Sequence, residues 1–278
     1  MNADMSVQLG DVQETLLIPL YFRAKETRRD APLFRDPHAV HAVQNVDYDF
    51  TGFDAAWALE ADVVVRTVLF DRYVRDHIVR HPNGQIINLG AGLDARLWRL
   101  DNGKIDWADL DMPDSMRLRE RWLPSHPRHQ ALAQSMFDDS WLEAFDAERP
   151  TLIVAEALMF YFPESDVRQL MNKIVAKFVN GEMVVQTVAP GIVGKQSTVP
   201  LLRQTRAELR WGIHSGAEFE MWNPTIRFLS EQCLVDHHRE RWRWYRPLRY
   251  VPGIGSYLRE VMKISHLRFH DAERSAST

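Results

Sequence analysis

An open α/β sheet preceded by a helical N-terminal region is the fold class this sequence predicts, and three observations carry that prediction. The run Gln85-Ile86-Ile87-Asn88-Leu89 stops at Gly90-Ala91-Gly92 and gives way to Asp94-Ala95-Arg96-Leu97-Trp98-Arg99-Leu100, whose apolar spacing is helical. Strand, tight glycine turn and helix is how the first unit of such a sheet holds a nucleotide-type ligand against its backbone. Two later runs end in carboxylates, Asp111 and Glu156, at the sheet edge that the turn occupies, while residues 12–80 carry helical spacing before any strand.

Composition bounds the rest. At 278 residues, 45% hydrophobic and 26% charged, the chain suits one α/β domain with additions. A net charge of -4 argues against a nucleic acid as general partner. Cys233 is the only cysteine, which excludes an internal disulfide and a Cys-rich metal site and fits a reducing compartment. No apolar run approaches the roughly 20 residues of a membrane span. Asp4, Asp11 and Glu14 do not make a signal sequence, so a cytoplasmic protein with no membrane partner is expected. His77 and His81 have ligand spacing, but Pro82 ends their helix and no third ligand follows, so no metal is expected.

Taken in order, helices are predicted over 15–25, 37–44 and 54–80. Within them Lys25, Arg28 and Arg29 form a basic segment, and Arg66 sits inside Val63-Val64-Val65-Arg66-Thr67-Val68-Leu69-Phe70, where it needs a counter-charge. An internal ion pair or a clamp on a ligand carboxylate would both serve. Residues 104–111 read as the second strand. Asp111 lies 21 positions after Gly90, where such a sheet places the carboxylate for two ribose hydroxyls. Strand alternation turns Asp109 the other way. A third strand is predicted at 130–134, followed by a loop in which Asp138, Met136 or Phe137 could meet an adenine. Residues 150–156 form a buried strand ending at Glu156, a helix follows over 164–178, and the fifth strand covers 183–188. The block 191–222 reads as an insertion covering the carboxyl edge, which would provide Trp211, His214 and Trp222 as substrate-facing residues, although core packing is the commoner fate of such aromatics. Residues 226–237, as helix and strand, and an antiparallel strand at 264–269 close the sheet. In 239–249, arginines alternate with Trp242, Trp244 and Tyr245, either as an RNA or acidic-ligand surface or as an amphipathic edge with its aromatics inward.

Gly90, Gly92 and Ala95 also satisfy the dinucleotide fingerprint, so an NAD(P)-dependent oxidoreductase is a rival reading. Asp94 separates the two. A carboxylate in the turn repels a pyrophosphate, whereas S-adenosylmethionine brings a sulfonium and an ammonium group and no phosphate. Capping of the following helix by Asp94 is compatible with either.

The segments Asn88-Leu89-Gly90-Ala91-Gly92-Leu93-Asp94-Ala95-Arg96, Asp109-Leu110-Asp111-Met112-Pro113 and Ala155-Glu156-Ala157-Leu158-Met159-Phe160-Tyr161-Phe162 resemble, in order and spacing, those of the leucine carboxyl methyltransferase superfamily. The likeness is nearest to its tetracenomycin-type polyketide O-methyltransferase branch, which shares the Arg23-Ala24-x-Glu26-x-Arg28 segment and Asp36-Pro37. The resemblance implies a class I, Rossmann-like S-adenosylmethionine-dependent methyltransferase: a seven-stranded mixed sheet, its last strand antiparallel, in a core of residues 81–278 behind a helical cap of residues 1–80. It implies that Lys25 and Arg66 hold the methionine carboxylate, Gly90 lines the cofactor, Asp111 binds ribose, Asp138 lies by the adenine and Glu156 faces the methionine amino end. Gly92 and Asp94 complete the expected cofactor set. The chain departs from the family pattern at Ala157, where glycine is common, and at Ala95, where threonine is common.

Methyl transfer from a sulfonium needs alignment and exclusion of water, with a base only for a neutral acceptor. Tyr161 and His214 are the expected positioning or polarising groups. The expected acceptor is a small-molecule hydroxyl or carboxylate. A protein carboxyl or an RNA acceptor in the same superfamily, and a cofactor-binding protein without turnover, are the remaining rivals.

Overall fold

The computed structural model describes residues 11–194 and 208–270. One seven-stranded sheet organises it, in the order β3-β2-β1-β4-β5-β7-β6. Its strands are β1 (Gln85–Leu89), β2 (Asp106–Asp111), β3 (His129–Ala133), β4 (Thr151–Ala155), β5 (Glu182–Val188), β6 (Ile226–Cys233) and β7 (Met262–Phe269). β1 is parallel to β2 and β4, and β4 to β5, whereas β7 runs antiparallel to both β5 and β6. The strand order reverses between β1 and β4, and ligands of open α/β sheets bind outside the carboxyl ends at such a point.

The buried strands β1, β4 and β5 carry apolar side chains on both faces, as a parallel sheet covered by helices requires. On one face Ile86, Leu152 and Val184 pack with Val63, Phe70 and Val74 of α3 (Trp57–Arg80). On the other, Ile87, Ile153 and Val185 pack with Val167, Leu170 and Ile174 of α6 (Glu164–Lys177). Two further helices, α1 (Asp11–Thr27) and α2 (Pro37–Asn45), lie against α5 (Pro113–Trp122) through Leu17, Leu20, Ala39, Leu118 and Trp122. The short α4 (Arg96–Leu100) follows the glycine turn.

Most predicted elements stand within a few residues of their expected limits, and two differ. The chain enters α3 through a 3-10 helix, Phe50–Ala56. Ile226–Cys233 is strand throughout, with a bulge between Phe228 and Ser230, and only Leu234–Asp236 turns as 3-10, so the expected helix there is absent. The strand's exposed alternation, with Arg227 out and Phe228 partly in, reads as helix only if its pairing with β7 is ignored. The 239–249 segment resolves as an amphipathic edge: Trp242 and Tyr245 are buried beside α8 (Tyr245–Leu248), which withdraws them from any stacking surface. Beyond it, α9 (Ile254–Glu260) leads into β7. No helix among the described residues is long and apolar enough to cross a membrane, and no group of three or more potential ligands among them could hold a metal ion.

Candidate active site

A cavity of about 610 Å³ opens over the carboxyl ends of the central strands. Gly90, Asp94, Asp111 and Ser115 border it on the β1–β2 side, Glu156 to Phe162 cross its middle after β4, and Gln186 and Met262 border it on the β5–β7 side. Leu16, Pro19 and Arg23 of α1 and Leu59, Asp62 and Arg66 of α3 supply the roof.

The turn after β1 needs its glycines. Gly90 and Gly92 have φ of 62° and 49°, in the left-handed region, and a Cβ on Gly90 would lie 2.6 Å from a methyl of Leu158. Asp111, at the end of β2, accepts a 2.7 Å hydrogen bond from the Gly92 amide and thereby fixes the turn. Burial raises its pKa against the opposing pull of the Gly92 and Met112 amides. Asp109 faces away, as alternation predicts: it is fully buried and bonds Asn88, Trp107, His129 and Arg119.

Beneath the roof runs a chain of buried charges. Arg66 lies 2.7 Å from Asp62, one helical turn before it, and 2.9 Å from Glu156. Arg96 joins Glu156 at 2.6 Å to Asp71 and Asp94, both at 2.7 Å. Arg99 reaches Asp36, Asp71 and Asp94 at 3.0 to 3.2 Å, and Arg23 bonds Asp36 and the Leu93 carbonyl. Burial disfavours the charged form of Arg66, but Asp62 and Glu156 outweigh it and raise its pKa. Burial also opposes ionisation of Asp94, yet the Arg96 and Arg99 guanidiniums hold it well below the usual carboxylate range.

Of the expected residues, Arg66, Gly90, Gly92, Asp94, Asp111, Glu156 and Tyr161 converge on the cavity. Burial pushes the Tyr161 hydroxyl up to about 12, with Arg66 pulling against it. It is therefore a neutral donor near pH 7, and a poor base.

Three expected residues lie elsewhere. Lys25 is not in the cavity wall; its ammonium is held 3.0 Å from Asp54 and 2.9 Å from Glu60, which satisfy the charge at the surface instead. Asp138 is an exposed cap, accepting from the Ser140 amide at the start of the 3-10 helix Asp139–Ala144. His214 is exposed, and only its backbone is engaged, with the Glu218 carboxylate and the Lys263 ammonium. The insertion behaves likewise. Trp211 is buried in the core below the sheet, its indole nitrogen 2.8 Å from the Met159 carbonyl, and Trp222 packs on Trp211, Phe219 and Arg168. None of the described residues of 191–222 lines the cavity, and 195–207 lie outside the described residues. The capping reading of Asp94 also falls: Ala95 stands at the cap position of α4, without a side-chain bond, and Asp94 is spent on two arginines. Its charge is thus neutralised within the protein, which weakens its value as a repellent of phosphate.

Sequence reasoning missed Asp62, Arg96 and Gln186. An i, i+4 carboxylate before Arg66 was a readable signal for Asp62. Gln186 gave none: it is fully buried in β5 and holds the Ala157 amide through its side-chain oxygen at 3.0 Å. That contact fixes Ala157 at φ 49°, so the position where the family pattern has glycine is left-handed here with an alanine in it.

The donor set fits S-adenosylmethionine. Carboxylates at the ends of β2 and β4 suit ribose hydroxyls and an ammonium, Arg66 suits a carboxylate, and the left-handed Gly92 leaves main chain open to the ligand.

Comparison with known proteins agrees with this geometry. The model of the family described as leucine carboxyl methyltransferase matches residues 17–175. The tetracenomycin polyketide synthesis O-methyltransferase TcmP of Streptomyces glaucescens is 29% identical over 83% of this chain and 86% of its own length. The S-adenosyl-L-methionine-dependent methyltransferase dpfgK of Gibberella zeae is 26% identical over 84% of this chain and 86% of its own. Among solved structures, a duf574 family protein from Streptomyces avermitilis superposes with a TM-score of 0.56 at 15% identity, covering 94% of this chain and all of that one.

Proposed function

This chain belongs to the leucine carboxyl methyltransferase family and is an S-adenosylmethionine-dependent methyltransferase, and from that premise we propose that it methylates an oxygen, hydroxyl or carboxylate, of a small organic acceptor. The observation that carries the reading is the enclosure of the cavity by its own N-terminal helices: Leu16, Ile18, Leu59, Val63, Phe160 and Met262 make an apolar compartment of a size suited to a compact ligand. The relative named for tetracenomycin polyketide synthesis supports the same class of acceptor.

In this reading Arg66 takes the methionine carboxylate, Glu156 faces the ammonium, Asp111 binds the ribose and Gly90 and Gly92 admit the ligand to the main chain. When bound, the cofactor supplies a methyl group on a positively charged sulfur, open to in-line displacement. The protein's part is alignment and dryness. Tyr161 donates a hydrogen bond that positions the acceptor. The described residues 11–80 act as a cap over the described part of the core that begins at 81, with α1 and α3 as the roof. A reducing compartment, the cytoplasm, suits the lone Cys233, whose thiol burial pushes up to about 11. The test is a screen of phenols, alcohols, carboxylic acids and peptides for labelled-methyl transfer, followed by mild base, which releases methanol from esters and leaves ethers intact. Label found only on peptide C-termini overturns the proposal.

A further inference from the structure

We propose that Gln186 is a positioning residue for the cofactor's amino-acid end, holding through the Ala157 amide the turn that presents Glu156 and Tyr161 to the cavity. The inference rests on the placement of Glu156 at the ammonium given above, and adds the residue that keeps it there. β4 and β5 are paired as far as Ala155 and Val185, where β4 ends. One position further along, the Gln186 side chain takes over from the ladder, its Oε1 accepting from the Ala157 amide at 3.0 Å. Gln186 is wholly buried and its backbone stays paired with Ile264 of β7, so the acceptor is carried on a fixed strand. A carboxamide also supplies that acceptor without adding charge to a wall that already holds Asp62, Asp94 and Glu156.

The bond holds Ala157 against its own preference. At φ 49° its Cβ is crowded by the backbone, and an alanine released from the clamp would return to negative φ. An amide and the carbonyl before it share one plane, so the Glu156–Ala157 peptide would turn with it. Glu156 would then shift under Arg66 and Arg96, which grip its carboxylate at 2.9 and 2.6 Å. Leu158, whose methyl leaves no room for a Cβ on Gly90, would lose its seat against the glycine turn. The Tyr161 amide, bonded to the Leu158 carbonyl at 3.2 Å, would follow. A displacement of about 1 Å in an aligning group can cost about 100-fold in rate, so one buried side chain that touches neither ligand governs how both are met.

The test is calorimetric binding of S-adenosylhomocysteine and of adenosine, which share the nucleoside and differ in the amino-acid end. Gln186→Met is similar in volume and lacks the amide oxygen. It should weaken S-adenosylhomocysteine by about 10-fold or more, the scale of one charge-assisted hydrogen bond, and leave adenosine within about 2-fold, which also reports that the variant is folded. Adding Ala157→Gly should restore most of the loss, because glycine adopts positive φ without a clamp; a merely structural glutamine would give no such rescue. Equal losses for the two ligands, or a loss that Ala157→Gly leaves unrepaired, overturn the proposal. An unaffected Gln186→Met beside a weakened Glu156→Gln overturns the clamp alone, and a Glu156→Gln that binds as wild type does overturns the placement of Glu156 and the clamp with it. Should Gln186→Met fail to fold, hydrogen exchange at the Ala157 amide of the unaltered protein decides: protection supports the clamp, and exchange as fast as at an exposed amide overturns it.

Discussion

Arg66 Nε stands 2.9 Å from Glu156 Oε1, joining α3 to the end of β4 across 90 positions of sequence. The roof and the floor of the active site are thus tied by one ion pair, and the arginine that closes it is the one assigned to the methionine carboxylate.

Arg66→Met should lower S-adenosylhomocysteine affinity while leaving adenosine binding nearly unchanged, because only the former carries a carboxylate. Removing one member of a buried pair leaves Asp62 and Glu156 short of a counter-charge, so a stability loss of about 3 kcal/mol should accompany it. Calorimetry with both ligands, beside denaturant unfolding, checks this; equal losses for the two ligands would mark a purely structural arginine. Lys25→Ala should change neither affinity noticeably, since its charge is absorbed by Asp54 and Glu60.

Asp111→Ala should weaken S-adenosylhomocysteine binding by about 1.5 to 3 kcal/mol through lost charge-assisted hydrogen bonds. The same change frees the Gly92 amide, so amide hydrogen exchange at Gly92 should quicken. Unaltered affinity would remove Asp111 from the ribose.

Ala157→Gly should stabilise the protein by about 1 kcal/mol, because φ of 49° strains an alanine and not a glycine. A shift of the urea midpoint without a change in slope is the expected signature. A drop in the midpoint would mean that the alanine methyl has packing worth more than the strain.

Acid should destabilise the fold through His77. Burial, assisted by the nearby His81, lowers its pKa from 6.5 to about 4. The unfolded chain binds this proton more readily than the native one, so stability falls as pH drops from about 6.5 to about 4, by up to about 3 kcal/mol, and the effect is constant below that window. His77→Leu should flatten the pH dependence of unfolding across it. An unaltered slope would place the acid sensitivity elsewhere.

What could be read from the sequence was whatever local spacing fixes. Gly90, Asp111 and Glu156 stood out because each ends a strand, and strand ends of one parallel sheet share an edge. Arg66 stood out as a charge in an apolar run. Asp138 and Lys25 were carried over from the family pattern, and the geometry of this chain gives their side chains to a cap and to surface carboxylates. Trp211 and Trp222 stayed open between a substrate wall and the core, because an aromatic in an insertion reads the same in either place, and the structure gives them to the core. Gln186, Arg96 and the roof formed by α1 depend on contacts between distant segments, which no periodicity records.

The placement of β7 between β5 and β6 has a consequence for the growing chain. β6 touches no other strand of the sheet, and β5 lacks its second neighbour until Met262–Phe269 arrives. During synthesis two unpaired strand edges therefore wait side by side, open to pairing with another chain. The last strand closes both seams at once, so an intermediate stalled before residue 262 would be the aggregation-prone one.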